Sequence, residues 1–171
     1  MAQKALFLDR DGVINKEVNY LYKKEDFEFI DGIFDLCRFY QDLGLKIIVV
    51  TNQSGIARGF YSEEDFEILT SWMTQEFEKK GLHVSRVYHC PHHPEISGPC
   101  RCRKPDIGMF LDAKKEFDID LKNSVMVGDH ERDIEAAHKA GISQTYFFDE
   151  HNKTTDSKAL KIVHRLDEIY R

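Results

Sequence analysis

Residues 9 to 15 read Asp-Arg-Asp-Gly-Val-Ile-Asn and follow directly on the apolar run Ala5-Leu6-Phe7-Leu8. Two carboxylates two residues apart stand where a buried strand should end. Like charges this close repel unless a cation holds them. Hard oxygen donors suit Mg²⁺, which shares its shell with waters and phosphate oxygens. Phosphoryl chemistry is the first expectation, with a polar Asp-Gly turn as the plain alternative. Asp9 has the chemistry to ligate Mg²⁺ and to attack phosphorus, giving an aspartyl-phosphate. Asp11 can protonate the leaving alkoxide and then deprotonate the water that hydrolyses the intermediate. Gly12 lets the backbone bend close to ion and phosphate. Asp129, after Val125-Met-Val-Gly128, offers a third oxygen ligand. The Thr51 hydroxyl and the Lys104 charge can hold the non-bridging phosphate oxygens. Each of these two is weak alone, since a strand-end Thr is commonly structural and a lone Lys commonly solvated.

A second constellation is Cys90-Pro-His92-His93-Pro…Cys100-Arg-Cys102. Three thiols and nearby imidazoles suit tetrahedral Zn²⁺, and a closed Cys₃His set is structural rather than catalytic. The spacing is not that of a zinc finger, and free thiols beside a surface histidine pair are the alternative. His89 and His93 stand as substitutes for His92. Cys37 lies apart on a helical face and reads as a small core residue.

Alternating strands and helices must position these groups. Ala5–Leu8, Leu45–Val50, Val84–Tyr88, Val125–Val127 and Tyr146–Phe148 read as strands. Ile33, Leu36, Cys37, Tyr40 and Leu43 fall at helical spacing, closed by Gly44. Ser62-Glu-Glu-Asp65 is a capping box in its broad form, opening a helix with Phe66, Leu69, Met73 and Phe77 that Gly81 ends. Pro105 is expected to start a helix with Met109, Phe110, Ala113 and Phe117 inward. Ile134, Ala137 and His138 begin another, stopped at Gly141. Leu160, Val163, Leu166 and Tyr170 predict a C-terminal helix, and 149–158 a polar surface connection. This alternation predicts an α/β fold, a Rossmann-like parallel sheet with helices on both faces. Ligands of such sheets collect beyond the carboxyl ends of the strands, at a switch point. Asp9, Asp11, Thr51, Asn52 and Asp129 all fall at those ends.

At 171 residues the chain reads as a single domain spanning 1–171, with the cysteine loop at 90–102. A formal net charge of −6 argues against broad nucleic-acid binding, though not against a small anionic substrate in a locally basic pocket. No stretch approaches a membrane span and no signal-peptide pattern is seen, so a cytoplasmic location is expected. Three of the four cysteines cluster, which in a reducing compartment favours metal over disulfides. No exposed apolar stripe stands out, and a monomer is expected.

Asp9-Arg-Asp11-Gly12-Val13-Ile14-Asn15, Thr51-Asn52-Gln53-Ser54, Arg103-Lys104-Pro105 and Val127-Gly128-Asp129 together resemble the haloacid dehalogenase superfamily of phosphatases. The likeness runs from about Ala5 to Phe148. Within the superfamily the chain resembles the D-glycero-D-manno-heptose 1,7-bisphosphate 7-phosphatase and histidinol-phosphatase branch. The resemblance implies Asp9 as nucleophile, Asp11 as acid and base, and Thr51 and Lys104 as phosphate stabilisers. It implies Mg²⁺ on Asp9, Asp129 and the carbonyl of Asp11, and Zn²⁺ on Cys90, His92, Cys100 and Cys102. It also implies that zinc ties down the loop carrying Arg103 and Lys104.

No large insertion follows the first or second motif, leaving little room for a cap domain. Glu17, Asn19 and Tyr20 resemble a sugar-contacting loop of the heptose branch. Asn52, Gln53, Ser54 and Arg58 match its second motif, with Arg58 or Arg103 placed to grip a second phosphate. Two features depart from that branch: the segment between Pro94 and Cys100 is short, and His130 stands where lysine is common. The first resembles the histidinol-phosphatase members. The substrate implied is a small phosphorylated sugar, a heptose 1,7-bisphosphate on the route to nucleotide-activated heptose. The alternatives are histidinol phosphate or another sugar phosphate, and, in a different class, a non-catalytic zinc-stapled interaction module.

Overall fold

Ala5–Leu8 carries four apolar side chains in a row and is buried on both faces, as the middle of a parallel sheet requires. It is β1 of the computed structural model, which describes residues 2–171. Five further strands follow: β2 (Lys46–Asn52), β3 (Val84–Cys90), β4 (Val125–Gly128), β5 (Gln144–Phe148) and β6 (Lys161–Val163). Their order across the sheet is β3-β2-β1-β4-β5-β6, and every pairing is parallel. The chain moves outward one way from β1, then returns to β4 on its other side. The switch point therefore lies between β1 and β4, beside Asp9 and Asp129.

Side-chain alternation splits the core in two. Leu6, Leu8, Ile47, Val49, Val125 and Val127 face α1 (Ile33–Asp42) and α2 (Glu63–Lys79), meeting Leu36, Leu69, Met73 and Phe77. Ala5, Phe7, Ile48, Val50 and Met126 face α4 (Gly108–Phe117) and α5 (Glu131–Lys139), meeting Met109, Phe110, Ala113 and Ala137. A single-turn helix, α3 (Pro94–Ser97), lies in the cysteine loop. The Ser62–Asp65 capping box forms reciprocally, with both bonds at 3.0 Å. Cys37 is fully buried in the core, as its helical position suggested. Segments 9–32 and 53–62 hold only turns, isolated bridges and one 3₁₀ turn at Lys24–Asp26; no helix or sheet of a cap is built from them.

Two expectations on elements are corrected. The helix expected from Pro105 starts at Gly108. Residues 103–106 instead form a turn, with the Asp106 N–H donating to Arg103 O at 2.8 Å. The Gly108 N–H donates to Arg101 O at 2.8 Å, an approach so close that a Cβ on Gly108 would lie 2.3 Å from that oxygen. The bend turns Lys104 inward. The C-terminal helix is also absent. Ile162 and Val163 are β-branched and extend the sheet against Phe147 and Phe148. A 3₁₀ turn, Leu166–Ile169, follows, with Glu168 accepting from the His164 and Arg165 N–H groups. Leu160 is 64% exposed, so the three-residue spacing that suggested a helix was never one buried stripe. Leu43, at the end of α1, is likewise exposed.

Candidate active site

Because all strands run the same way, Asp9, Thr51, Asn52 and Asp129 emerge at one edge of the sheet. Asp9 follows β1 and is anchored by its N–H to Val127 O at 3.2 Å. Its Oδ1 accepts from the Arg10 N–H at 2.9 Å and meets Lys104 Nζ at 3.1 Å; Oδ2 takes neither contact. Lys104 is 1% exposed, and its ammonium also contacts Asp133 Oδ1 at 2.7 Å and donates to Val50 O at 2.8 Å. Asn52 clamps the Lys104 backbone from both sides: Oδ1 accepts from the Lys104 N–H at 2.9 Å and Nδ2 donates to Lys104 O at 3.2 Å.

The electrostatics follow from the count of charges. Burial pushes the Asp9 carboxyl well above the usual range, and Asp133, Asp129 and Asp11 add to this while Lys104 opposes it. For Lys104, burial alone would lower the ammonium, but Asp133 and Asp9 outweigh it and the net direction is upward. Four carboxylates, Asp9, Asp11, Asp129 and Asp133, thus gather around two cations, Lys104 and Arg10, a deficit of positive charge that a divalent ion would supply.

The ligand geometry agrees with that deficit. Donor atoms of Asp9, Asp129, His130 and Asp133 lie within 4.8 Å of one another. Asp133 is committed elsewhere, its Oδ2 capping α5 through the Asp129 and His130 N–H groups at 3.2 and 3.1 Å. His130 Nδ1 sits 2.9 Å from Asp129 Oδ1, and this contact raises the ring above its ordinary value. Gly12 has φ +90°, and a Cβ there would fall 1.9 Å from Asp129 Oδ2. Only glycine lets the Asp129 carboxylate sit against this loop. Asp9 and Asp129 therefore remain as carboxylate donors that fit a hard cation.

Asp11 is half-buried and held by side chains. Arg10 donates to Oδ1 from Nε at 3.1 Å, and its other nitrogen reaches both oxygens at 3.0 and 3.2 Å. Asn15 Nδ2 and Gln53 Nε2 donate at 3.1 and 3.0 Å. A cleft of about 190 Å³ opens over these groups. It brings together Asp9, Asp11, Glu17, Asn19, Tyr20, Asn52, Gln53, Ser54, Arg103, Lys104 and His130 from the sequence expectations. Thr51 lies beneath it, fully buried, its hydroxyl accepting from Gln53 Nε2 at 2.9 Å. Arg58 is not brought to the cleft. The turn that joins its N–H to Ser54 O sends the guanidinium outward to His93 Nε2, 2.9 Å away.

Sequence reasoning missed four residues here. Asp133 is the fully buried partner of Lys104; its signal was an acid at the third position of a helix beginning right after a strand-end aspartate. Arg10 is 1% exposed between two acids, where it looked like part of a polar turn. Tyr61 and Arg132 line the cleft, and no local motif marks either one.

Beyond β3 lies the cysteine loop, and Cys90 stands in register with Asn52 on the neighbouring strand. The donors of Cys90, His92, Cys100 and Cys102 lie within 4.8 Å of one another. Cys90 and Cys100 are 3.7 Å apart, near the roughly 3.8 Å edge of a tetrahedron with Zn–S of about 2.3 Å. Cys90 and Cys102, at 2.6 Å, are tighter than that edge, and an ion between them would spread them. His92 Nδ1 is 3.2 Å from Cys102 Sγ. The other imidazoles are engaged elsewhere: His89 with Glu63 at 2.7 Å and stacked on Phe66, and His93 with Arg58 and the Glu95 N–H. The donor set fits zinc, and its last cysteine is two residues from Lys104.

A family model described as HAD-hydrolase-like matches residues 101–168. The chain is 50% identical over 156 residues to a D-glycero-alpha-D-manno-heptose-1,7-bisphosphate 7-phosphatase of Campylobacter jejuni, covering 91% of this chain and 88% of that one. It is 48% identical over 147 residues to a D-glycero-beta-D-manno-heptose-1,7-bisphosphate 7-phosphatase of Vibrio cholerae, covering 83% and 79%. Among solved structures it is similar to the D,D-heptose 1,7-bisphosphate phosphatase of B. bronchiseptica complexed with magnesium and phosphate, with TM-score 0.83, 27% identity, and coverage of 96% and 94%.

Proposed function

The chain belongs to the D-glycero-D-manno-heptose-1,7-bisphosphate 7-phosphatase family of haloacid dehalogenase-like hydrolases, and on that premise we propose that it removes the 7-phosphate of a heptose 1,7-bisphosphate during synthesis of a nucleotide-activated heptose. The observation that carries this reading is the Asp9–Lys104 ion pair at 3.1 Å, set beside Asp11 under an open polar cleft at the switch point of the sheet. We take residues 1–171 as one phosphatase domain acting as a monomer in the cytoplasm; among the described residues no helix is long and apolar enough to cross a membrane.

Mg²⁺, held by Asp9, Asp129 and the Asp11 carbonyl, supplies positive charge to the phosphate oxygens when bound. An Asp9 carboxylate oxygen attacks phosphorus in line with the ester oxygen. The new O–P bond forms as the bond to the sugar oxygen breaks, and Asp11 gives that oxygen its proton. Water then enters, Asp11 takes its proton, and the hydroxyl attacks the same phosphorus. Inorganic phosphate leaves and Asp9 is restored as a carboxylate. Lys104 holds Asp9 Oδ1 in place and adds charge next to the transferring group, and Thr51 supports the floor of the site.

Arg103 and Arg132 face the same cleft and supply the cations for the second phosphate, with His130 beside them. Glu17, Asn19 and Tyr20 frame the sugar, with Ser54 lining the same cleft. Cys90, His92, Cys100 and Cys102 would hold zinc as a structural ion, which would restrain the loop that delivers Arg103 and Lys104. The test is a kinetic panel with magnesium: both heptose 1,7-bisphosphate anomers, histidinol phosphate and an aryl phosphate. We expect one heptose anomer to give the highest kcat/KM. A higher value on histidinol phosphate would overturn the substrate assignment and leave the mechanism standing.

A further inference from the structure

Gln53 is 2% exposed, and both ends of its amide are spent inside the protein. Nε2 donates to Asp11 Oδ2 at 3.0 Å and to Thr51 Oγ1 at 2.9 Å. Oε1 accepts from the Tyr61 hydroxyl and lies 3.5 Å from the Arg10 guanidinium. A buried amide with all of its partners made is locked in orientation. It lines the cleft but has no donor or acceptor to spare for a ligand.

Tyr61 is itself fixed from several sides. It is 7% exposed, its ring stacks on Tyr22 with centroids 5.7 Å apart, and Gly55 leaves the space it occupies. A Cβ on Gly55 would lie 2.3 Å from the Tyr61 ring and 3.0 Å from Tyr20. Tyr20 in turn packs on Phe60, with ring centroids 4.3 Å apart. The loops after β1 and after β2 thus meet in a small aromatic cluster. Its one inward polar group, the Tyr61 hydroxyl, ends on Gln53.

We infer that Tyr61 and Gln53 are positioning residues for Asp11, fixing its carboxyl where it delivers the proton to the departing sugar oxygen. The inference rests on the phosphatase reading above and extends it to two residues that act through others: Tyr61 through Gln53, and Gln53 through Asp11 and the buried Thr51 hydroxyl. Tyr61 orients the Gln53 amide, Gln53 holds Asp11 Oδ2, Asn15 holds Oδ1, and Arg10 reaches both oxygens. Removing the Tyr61 hydroxyl frees the amide to turn, and Asp11 loses one of the bonds that set its plane.

Leaving-group chemistry separates this role from general support of the fold. An alkyl phosphate expels a strongly basic alkoxide and needs Asp11 as acid, whereas p-nitrophenolate departs without a proton. Tyr61→Phe keeps the ring and its packing, and Gln53→Met keeps the length of the side chain. Phosphoryl transfer to each variant would be followed by rapid quench in single turnovers, with heptose bisphosphate and with p-nitrophenyl phosphate. Thermal melts would accompany both. We expect the ratio of alkyl to aryl rates to fall about tenfold or more relative to wild type in whichever variant folds. Equal losses on both esters, or no loss on either, would overturn the inference. A wild-type protein that cleaves neither ester would overturn the phosphatase reading together with it, so the two failures are distinguishable.

Discussion

Asp9 is held under stress by its surroundings, and that makes it readable by mutation. Its charge is buried with Asp133 for company and one lysine for relief. Asp9→Asn removes the proposed nucleophile and part of the repulsion at once. Turnover should fall by at least about a thousandfold, while the melting temperature of the metal-free protein should not drop. Activity within tenfold of wild type would refute the assignment. Lys104 behaves in the opposite way. Lys104→Met leaves Asp9 and Asp133 buried without a counter-charge, and loss of one partner of a buried pair costs about 3–5 kcal/mol. Urea denaturation should show a loss of that order together with loss of activity. Gly12→Ala puts a methyl where the Asp129 carboxylate lies, at a φ of +90° that alanine resists. Calorimetric titration should find Mg²⁺ affinity lowered by at least about tenfold, a change worth 1.4 kcal/mol.

At the scale of elements, the loop from Cys90 to Lys104 carries little regular structure. It holds one turn of helix, and its delivery of Lys104 to the cleft depends on two anchors. One is the cysteine–histidine cluster; the other is the Asn52 clamp on the Lys104 backbone. Stripping the proposed zinc with a chelator should therefore lower kcat and speed hydrogen exchange over residues 90–106. The amides of β1 and β2 should stay protected; exchange rising equally across the sheet would mean that the ion holds the whole fold. The same contrast explains what the sequence made legible. Strands with both faces buried and helices with Ser or Gly ends carry their own signals, and β1, β2, α1 and α2 lie within a residue or two of expectation. The segment after Pro105 and the C-terminal segment lacked such signals. One is bent by a backbone contact to Arg101, and the other is drawn into the sheet by the free edge of β5. Neither partner is near in sequence.

Across the whole molecule the site exists because six parallel strands bring distant residues to one edge. Asp9, Thr51 and Asp129 were legible as candidate site residues because each lies at or just beyond the carboxyl end of a strand, and the sheet order places them together. Asp133, Arg10 and Tyr61 were not, because their roles come from what they touch rather than from any local pattern. The cleft stays open, since the segments after β1 and β2, residues 9–32 and 53–62, build no helix or sheet over it and rim it with the aromatic cluster around Tyr20 and Phe60. Such a site suits a small, strongly anionic ester that brings its own shielding.

The central claim is that phosphate passes through Asp9. The direct measurement is acid quench during turnover of substrate labelled with ³²P at the scissile phosphate, with magnesium present, followed by peptide mapping. The account predicts label on the peptide holding residue 9, absent from the Asp9→Asn protein. Labelled inorganic phosphate released with no labelled peptide at any time point, or label at another residue, would contradict it.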